Sequence, residues 1–520
     1  MPRCGCGNMA FPRQPIWPAV SMPGLNKSIR RWHGIKAHEQ AGTGVSRSLR
    51  RCRRDPGGGL GKGPRMQTGR RLLLAGVAVL SLGSVWARPA AATDLEEALA
   101  LAYGTNPTLD AERAQLRSTD ENVPQALSGW RPTVSAQANA SHEWLDRTKP
   151  DTSTTDFSPR TYGVTVTQPI FRGFRTVKGT SEAENQVRAE RQRLSSTEQD
   201  VLFAGVQAYM GVVRDEAILE LNENNVKVLQ AQLESTEDQF QVGELTRTDV
   251  AQAKSSLQGA IADRIAAEGD LKTSRATYRQ VIGAEPVDLK MPVPKLALPV
   301  TKDEAVVEAR NVPDVNAAQF DQKAAKDQVD VSFGQMLPEV SVQGSFQRNE
   351  DDNFGTSNAN AGVVMGVVTI PLYQAGNVES QVRQSKQQYY RSRRLVDEAL
   401  RNAEQQAIAA WQALDTANAQ ISAFQEQVTA AKIALDGIRQ EQQVGARTII
   451  DVLDQEQAYL NSEVSLVSAR TNQVVAQYQL LSAIGRLTAR DLALKVDHYD
   501  PTKHYNEVRD KFIGIGPSVE

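Results

Sequence analysis

Apolar side chains recur every seven residues along two long stretches of the chain. In the first stretch these positions are Gly205, Val212, Leu219, Val226, Leu233 and Phe240, and in the second they are Leu414, Ile421, Val428 and Leu435. No proline interrupts residues 174–241. A strict seven-residue apolar period is typical of helices packed in left-handed coiled coils. At about 1.5 Å per residue, a helix over 174–241 would be on the order of 100 Å long. The pattern predicts rod-like antiparallel helical hairpins.

Two other regions alternate between apolar and polar residues, as β-strands do. They predict one β-hairpin at about 132–170 and another at about 338–371, each with a polar loop between its strands. Strands of nine to eleven residues match tilted transmembrane strands, and polar loops suit an outer surface. An ordinary soluble hairpin remains open on this weak pattern. Because four strands cannot close a barrel, embedding in lipid would require several chains to pool their strands.

The chain repeats itself. QVGELTRTDV begins at Gln241 and QVGARTIIDV begins at Gln443, 202 residues later, and TQPIF from Thr167 corresponds to TIPLY from Thr369 at the same offset. The alignment predicts a first repeat over 93–283, a second over 301–487, a Pro-rich linker over 284–300 and a C-terminal tail over 488–520.

The repeated decapeptides predict the tips of two helical hairpins, at 241–250 and 443–454. Gly243 and Gly445 are expected to end one long helix in each repeat. The pair Thr248 and Asp249 in the first tip, and Thr448 with Asp451 in the second, are expected to begin the returning helix.

Charge is distributed unevenly along the sequence. Residues 1–92 carry sixteen Lys and Arg against Glu39 and Asp55, which leaves a net charge of about -16 for residues 93–520. An acidic body argues against a nucleic-acid partner. Residues 66–92 have the basic, apolar and small-residue order of a secretory signal peptide, so we expect export. A membrane anchor is the alternative. Residues 1–65 are interpreted as a dispensable basic extension or a misplaced start.

The sequence contains little that would support an enzymatic function. All three cysteines (Cys4, Cys6 and Cys52) precede the predicted signal, so the exported body offers no thiol for a disulfide or for lipid attachment. Its histidines are His142, His498 and His504, and no Ser, His and Asp spacing indicates an active site. We expect no enzyme, no cofactor and no metal site, and a surface role for His498 and His504.

Several motifs give the body a family resemblance over about residues 94–487. They are N-P at Asn106, W-R-P-T at Trp130, Q-P-I-F at Gln168, I-P-L-Y-Q-A-G at Ile370, FQVGELTRTDV at Phe240 and VGARTIIDVLD at Val444. With them the chain resembles the TolC family of outer-membrane channel-tunnel proteins. The resemblance implies a mainly α fold with β: long antiparallel coiled-coil helices plus two β-hairpins per chain. It implies a homotrimer that forms a 12-stranded outer-membrane barrel and a periplasmic α-helical tunnel.

The same resemblance implies roles for residues at the tips. Arg447 would bond Thr248 and Asp249 to hold the pore shut, and Asp451 and Asp454 would each form a threefold acidic ring. Gln442 is also assigned to the gate: it stands where the family often has a tyrosine, whose latch its amide would replace. Phe174 stands where the family commonly has a glycine. The docking surface for a periplasmic adaptor would comprise Val242, Gly243, Leu245, Val444 and Gly445. Taken alone, these residues allow simpler roles: helix caps, a solvated acidic face, or a local Arg447–Asp451 pair.

The function implied is that of a passive exit duct in the outer membrane, extending into the periplasm. It would serve a tripartite efflux pump or a type I protein secretion system. Its partners would be a periplasmic adaptor (membrane fusion) protein, an inner-membrane ABC or RND transporter, and outer-membrane lipid. The alternative is a periplasmic structural coiled coil without channel activity. The sequence does not distinguish protein cargo from small molecules.

Overall fold

The structure is a computed structural model that describes residues 94–147, 153–293, 296–351 and 358–516. The predicted basic extension and signal peptide lie outside the described residues. The helices are α1 (Leu95–Thr105), α2 (Pro107–Asp120), α3 (Asn122–Leu127), α4 (Arg175–Gln241), α5 (Arg247–Ile282), α6 (Lys302–Ala309), α7 (Pro313–Gly334), α8 (Asn377–Gln443), α9 (Ile449–Ala483) and α10 (Lys503–Val508). The strands are β1 (Thr133–Ala140), β2 (Glu143–Arg147), β3 (Ser153–Phe157), β4 (Arg160–Arg172), β5 (Glu339–Glu350) and β6 (Ala359–Thr369).

The two long helices expected from the heptad pattern are confirmed. Helices α4 and α8 each contain 67 residues, and α8 begins and ends 202 residues after α4. At about 1.5 Å per residue each is on the order of 100 Å long. The returning helices α5 and α9 are shorter, with 36 and 35 residues.

The short helices α2 and α7 stack end to end with α5 and α9, and so lengthen the partner of each long helix. The Asn106 side chain bridges one such junction: its Oδ1 accepts from Thr108 N at the start of α2 (2.9 Å), and its Nδ2 donates to Val281 O at the end of α5 (3.0 Å). At the other junction Gly485, just after α9, lies so close to Pro313 at the start of α7 that a Cβ would be 3.3 Å from the proline ring. Each long helix can therefore pack along most of its length against a composite partner.

The largest hydrophobic core lies where these junctions meet. It joins both repeats and the beginning of the C-terminal tail, and its most deeply buried large side chains include Leu99, Leu202, Tyr209, Tyr278, Leu480 and Leu487. Gly205 leaves space here for Leu99, since a Cβ at this position would lie 2.9 Å from a terminal methyl group of that leucine. Among the described residues no helix is long and apolar enough to cross a membrane.

The predicted hairpins combine into one four-stranded antiparallel sheet in the order β1-β4-β5-β6. Register pairs such as Val134 with Val166, and Val164 with Phe346, place apolar side chains on one face. This face carries Val134, Ala136, Ala138, Tyr162, Val164, Val166, Val342, Phe346, Val364 and Val368. The opposite face of β1, β4 and β5 carries Ser135, Gln137, Asn139, Thr165, Thr167, Ser341, Gln343, Ser345 and Gln347. The sheet therefore has one apolar face and a second face that is polar over β1, β4 and β5, whereas β6 adds Val363, Met365 and Val367 to that second face.

The connection between β1 and β4 was predicted as a polar loop, and that prediction was incomplete. Residues within it form a second hairpin in which β2 pairs with β3. Its sequence lacks a regular apolar alternation, so the pairing gave no clear signal. Where β1 ends, His142 Nε2 lies 3.1 Å from Asp156 Oδ1 on β3.

A tight junction connects the sheet to the helices. A Cβ on Gly334 at the end of α7 would lie 2.4 Å from Gly173 O, so two backbones meet there directly. Arg172 and Arg175 both pair with Glu339 at the start of β5, at 3.1 and 2.8 Å. The base of the sheet is thereby tied to the ends of the helices by backbone contact and by charge.

The C-terminal tail packs across the first repeat. Ala489 N donates to Glu198 Oε1 (2.7 Å), and Tyr499 N donates to Tyr103 Oη (3.1 Å). His504 contradicts the expected surface role: its side chain is only 13% exposed, and its Nδ1 lies 3.1 Å from the fully buried Asp120 carboxylate. Burial raises the pKa of Asp120, and the hydrogen bond with the histidine opposes that rise. His498 is exposed, as expected.

Candidate functional site

Both helical tips end in the same backbone motif. In the first tip Gly243 has φ +84°, its N–H donates to Phe240 O (3.0 Å), and Glu244 N donates to Gln239 O (3.0 Å). The second tip repeats these bonds from Gly445, whose φ is +75°, and from Ala446. This is a Schellman motif, in which glycine adopts the left-handed conformation with little strain. The repeated V-G therefore has a local structural cause.

A capping box begins each returning helix. Thr448 N and Oγ1 donate to Asp451 Oδ2 at 2.9 and 2.8 Å, and Asp451 N donates back to Thr448 Oγ1 at 3.4 Å. In the first tip the same bonds join Thr246 and Asp249. The expectation that Thr248 begins this helix was wrong, since Thr246 is its N-cap. The T-x-x-D spacing shared by both decapeptides was the available signal.

These caps lower the pKa of two acidic residues. Hydrogen bonds from Thr448 keep the pKa of Asp451 below its usual value, and those from Thr246 do the same for Asp249. Both carboxylates therefore remain charged at neutral pH. Asp454 is exposed one turn further along α9, so it presents its carboxylate to whatever space faces the tip.

Arg447 has a different partner inside the chain from the one predicted. Its Nε donates to Glu441 Oε2 at 2.9 Å, which ties the turn to the end of α8. Thr248 is exposed on the first turn of α5, and Gln442 is half-buried, with its carbonyl accepting from Gly445 N. The structure therefore does not bring Arg447 to Thr248 or Asp249 within one chain. A bond between subunits remains a prediction.

The two tips pack against each other through a small hydrophobic cluster. Leu229 and Leu257 from the first hairpin contact Ile449 and Leu453 from α9, and Leu245 packs at the edge. We refer to this set as the tip cluster. Leu245 is half-buried, which limits the predicted docking role, whereas Val242 and Val444 are 73% and 79% exposed. The exposed valines leave an apolar pair at the extreme end of the rods.

A charged contact that sequence reasoning missed ties the second hairpin together below its tip. The Arg439 guanidinium on α8 binds the carboxylate of Glu456 on α9, which is buried. The pair is separated by 17 residues across the turn, so no local pattern indicates it. A buried carboxylate matched by an arginine resists separation of the two helices.

Long paired helices below a sheet with one apolar face define a class of protein: a membrane duct with a helical extension. Comparison with known proteins agrees. Residues 98–284 and 307–486 match the family described as outer membrane efflux protein. The chain belongs to this family.

Relatives and solved structures support the assignment. The chain is 36% identical to the outer membrane efflux protein BepC of Brucella suis biovar 1 (strain 1330) over 448 residues, 85% of this chain and 96% of the relative. It is 25% identical to the outer membrane protein TolC of Vibrio cholerae, over 79% of this chain and 93% of the relative. The CmeC outer membrane channel of Campylobacter jejuni has the same fold, with a TM-score of 0.70 at 15% identity over 80% of this chain and 89% of that one.

These findings confirm the predicted family, localisation and function. The chain is an outer-membrane export channel protein that extends into the periplasm, acts in efflux or type I secretion, and is not an enzyme. The family match falls in two segments, and each contains one long helical hairpin and its tip.

Proposed function

We propose that three copies of this chain form one exit duct. Their pooled strands would make a 12-stranded barrel in the outer membrane, and their helices would continue it as a periplasmic tunnel. The observation that carries the proposal is the sheet: one face is apolar, the other is polar over β1, β4 and β5, and among the described residues the edge strands β1 and β6 each have a partner strand on one side only. An unpaired edge is unstable in lipid, and joining edges between subunits removes it.

The tips would form the periplasmic gate. Asp454, which is exposed, and Asp451, whose pKa is lowered by its cap, would each give a ring of three carboxylates around the axis. Like charges close to one another attract cations and repel anions, so the closed entrance would be cation-selective. Arg447 would hold the gate shut by bonding Thr248 and Asp249 of a neighbouring subunit, in exchange for its present contact with Glu441.

The partners would be a periplasmic adaptor protein and an inner-membrane transporter of the ABC or RND class, which supplies the energy. The adaptor would dock on Val242, Gly243, Val444 and Gly445. The exposure of both valines supports this, because exposed apolar groups at a rod's end are typical of a contact surface. Leu245 would contribute indirectly, by fixing the two tips relative to each other.

Single-channel conductance in planar bilayers tests the gate. We expect Asp451→Asn combined with Asp454→Asn to reduce cation selectivity by about tenfold, since the charges that attract cations are removed. Asp451 also caps α9, so a matched control is needed. Thr448→Ala removes the two bonds of the same capping box that run through Thr448 Oγ1, and it retains both carboxylates. It should keep the selectivity of the wild type.

Two outcomes would contradict the proposal. Equal loss of selectivity in the Thr448→Ala control would mean that the cap, and not the acidic rings, matters. An absence of conductance from correctly folded protein would favour the alternative, a periplasmic structural coiled coil. Arg447→Ser tests the latch separately, and we expect it to enlarge the conductance steps. A Glu441→Gln control removes only the partner seen within the chain and should leave the steps unchanged.

A further inference from the structure

A short segment after α10 exposes apolar side chains that contact little of the chain. In the sequence Lys-Phe-Ile-Gly-Ile-Gly at 511–516, Phe512 is 71% exposed, Ile513 is 92% exposed and Ile515 is 103% exposed. We call residues 511–516 the strap end. Three large apolar groups left in water so close together are unfavourable, and such a patch usually marks a contact surface.

The strap end is held at the base of the sheet. Arg131 Nη1 donates to Lys511 O at 2.8 Å, and the Arg131 guanidinium lies 4.1 Å from the centre of the Phe512 ring. Arg131 stands two residues before Thr133, the first residue of β1. With a rise of about 3.3 Å per residue, the segment begins within about 10 Å of the strand.

The tail before the strap end is firmly packed, so the position of this segment is fixed. Val508 at the end of α10 is buried, and His504 pairs with the buried Asp120. Arg191 on α4 lies over the Tyr505 ring, with 5.1 Å between the guanidinium carbon and the ring centre. The packed tail therefore holds Phe512, Ile513 and Ile515 at a fixed position along the molecule.

The residues around the strap end have the composition of a bilayer interface. Trp130, which precedes Arg131, is 41% exposed, and Lys511 and Arg131 place two cations beside the apolar groups. Tryptophan is enriched where the hydrocarbon meets the headgroups, and basic residues next to apolar ones match anionic phospholipids.

We propose that the strap end binds the periplasmic leaflet of the outer membrane, with Phe512, Ile513 and Ile515 inserted among the phospholipids. It would act as an interfacial anchor that sets the depth of the sheet in the bilayer. The occupant of this surface is a phospholipid layer, chosen for the paired cations and for the position of the segment at the base of the sheet, next to the start of β1. The inference rests on the proposed membrane embedding of the strands.

Site-directed fluorescence in liposomes tests the anchor. The full chain, with Cys4, Cys6 and Cys52 replaced by serine, receives one cysteine through Ile513→Cys and carries the environment-sensitive dye NBD there. The liposomes contain phosphatidylethanolamine and phosphatidylglycerol, with or without nitroxide-labelled phospholipid. Two matched positions serve as references: Val364→Cys on the apolar face of β6, which is 81% exposed in the chain, and Val300→Cys in the linker, which is 84% exposed.

We expect the nitroxide lipid to quench the dye at 513 at least about twofold more than the dye at 300, as at an interfacial segment. Quenching at 364 but not at 513 would overturn the anchor and leave the membrane-embedded sheet intact. Quenching at neither site would overturn both. If aqueous iodide quenches 513 as well as it quenches 300, the segment faces water. If neither quencher reaches 513, another subunit covers it, and the lipid anchor is wrong.

Discussion

At the scale of single residues, the two turns that lead from the sheet into the long helices place their glycine differently, at Gly173 in the first turn and at Gly376 in the second. Phe174 has φ +62° and Gly376, its counterpart 202 residues later, has φ +77°. A side chain in this left-handed region costs about 1–2 kcal/mol, which glycine avoids. Phe174 recovers part of this cost through an edge-on contact with Phe171, whose ring centre is 5.1 Å away.

We therefore expect opposite effects at these two positions. Gly376→Ala should destabilise the fold by about 1–2 kcal/mol, because no atom lies within 4 Å of the added Cβ and only the backbone cost remains. Phe174→Gly should stabilise it by up to about 1 kcal/mol, after the lost ring contact is subtracted. The measurement is the thermal midpoint of the helical circular dichroism in detergent. Shifts in the same direction would contradict this explanation.

A second residue-scale prediction concerns pH. Burial, together with the smaller effect of the nearby Asp327 carboxylate on α7, raises the pKa of Glu182 on α4 to about 7. Asp327 itself accepts from Ser181 Oγ at 2.7 Å and from Asn185 Nδ2 at 3.1 Å, and it pairs with Lys178. Ionising Glu182 therefore places a second negative charge beside Asp327, whose carboxylate already has its own hydrogen-bond donors and its own cation.

Because the pKa of Glu182 is higher in the folded protein than in the unfolded chain, its contribution to stability is complete below about pH 4.5. It is lost as the pH rises through about 7. Glu182→Gln should therefore be more stable than the wild type at pH 8, by about 1 kcal/mol once partial solvent screening is allowed for, and equal to it at pH 4. Thermal midpoints over this pH range check the prediction. A constant difference between the two proteins would show that charge is not the cause.

At the scale of elements, Asn106 joins two helices into one rod. Its side chain caps α2 and also satisfies a carbonyl at the end of α5. We expect Asn106→Ala to cost about 1–2 kcal/mol, since it removes both bonds. Asn106→Asp is the matched control, because it retains the acceptor for Thr108 N and loses only the donor to Val281 O. Hydrogen exchange should then accelerate in the last turn of α5 in both variants, and at the start of α2 only in the alanine variant.

The helices and strands also show how much of the structure the sequence could predict. Heptads and alternation are local, so they predicted α4, α8 and both hairpins. Helices α5 and α9 are about half as long as α4 and α8, because each stacks end to end with a short helix more than a hundred residues away. A local heptad period carries no information about such distant stacking. The Thr246 cap was within reach, since its spacing to Asp249 equals that of Thr448 to Asp451.

At the scale of the whole molecule, the less predictable features are those that join distant segments. His504 was expected at the surface because the tail is polar, yet it pairs with a buried carboxylate 384 residues earlier. Leu245 was assigned to docking from its place in a repeated motif, yet it packs in the tip cluster, which only contact between the repeats creates. A sequence motif identifies a turn, and the packing of the two repeats decides which of its side chains remain exposed.

The packing of the two tips predicts how readily the periplasmic entrance of the duct opens. The tip cluster is the hydrophobic contact between the first hairpin and α9 at the end of the rods, so widening the entrance must break it. Leu453 is 6% exposed there, and Leu453→Ala should cost the closed state about 2–4 kcal/mol. We expect more frequent opening in bilayer recordings, with unchanged cation selectivity because Asp451 and Asp454 remain.

Leu271→Ala is the matched control, since Leu271 is equally buried but lies in the largest core, far along α5 from the tip. It should lower the thermal midpoint to a similar extent and leave the opening frequency unaltered. Equal opening in both variants would mean that general loosening, and not separation of the tips, governs the duct.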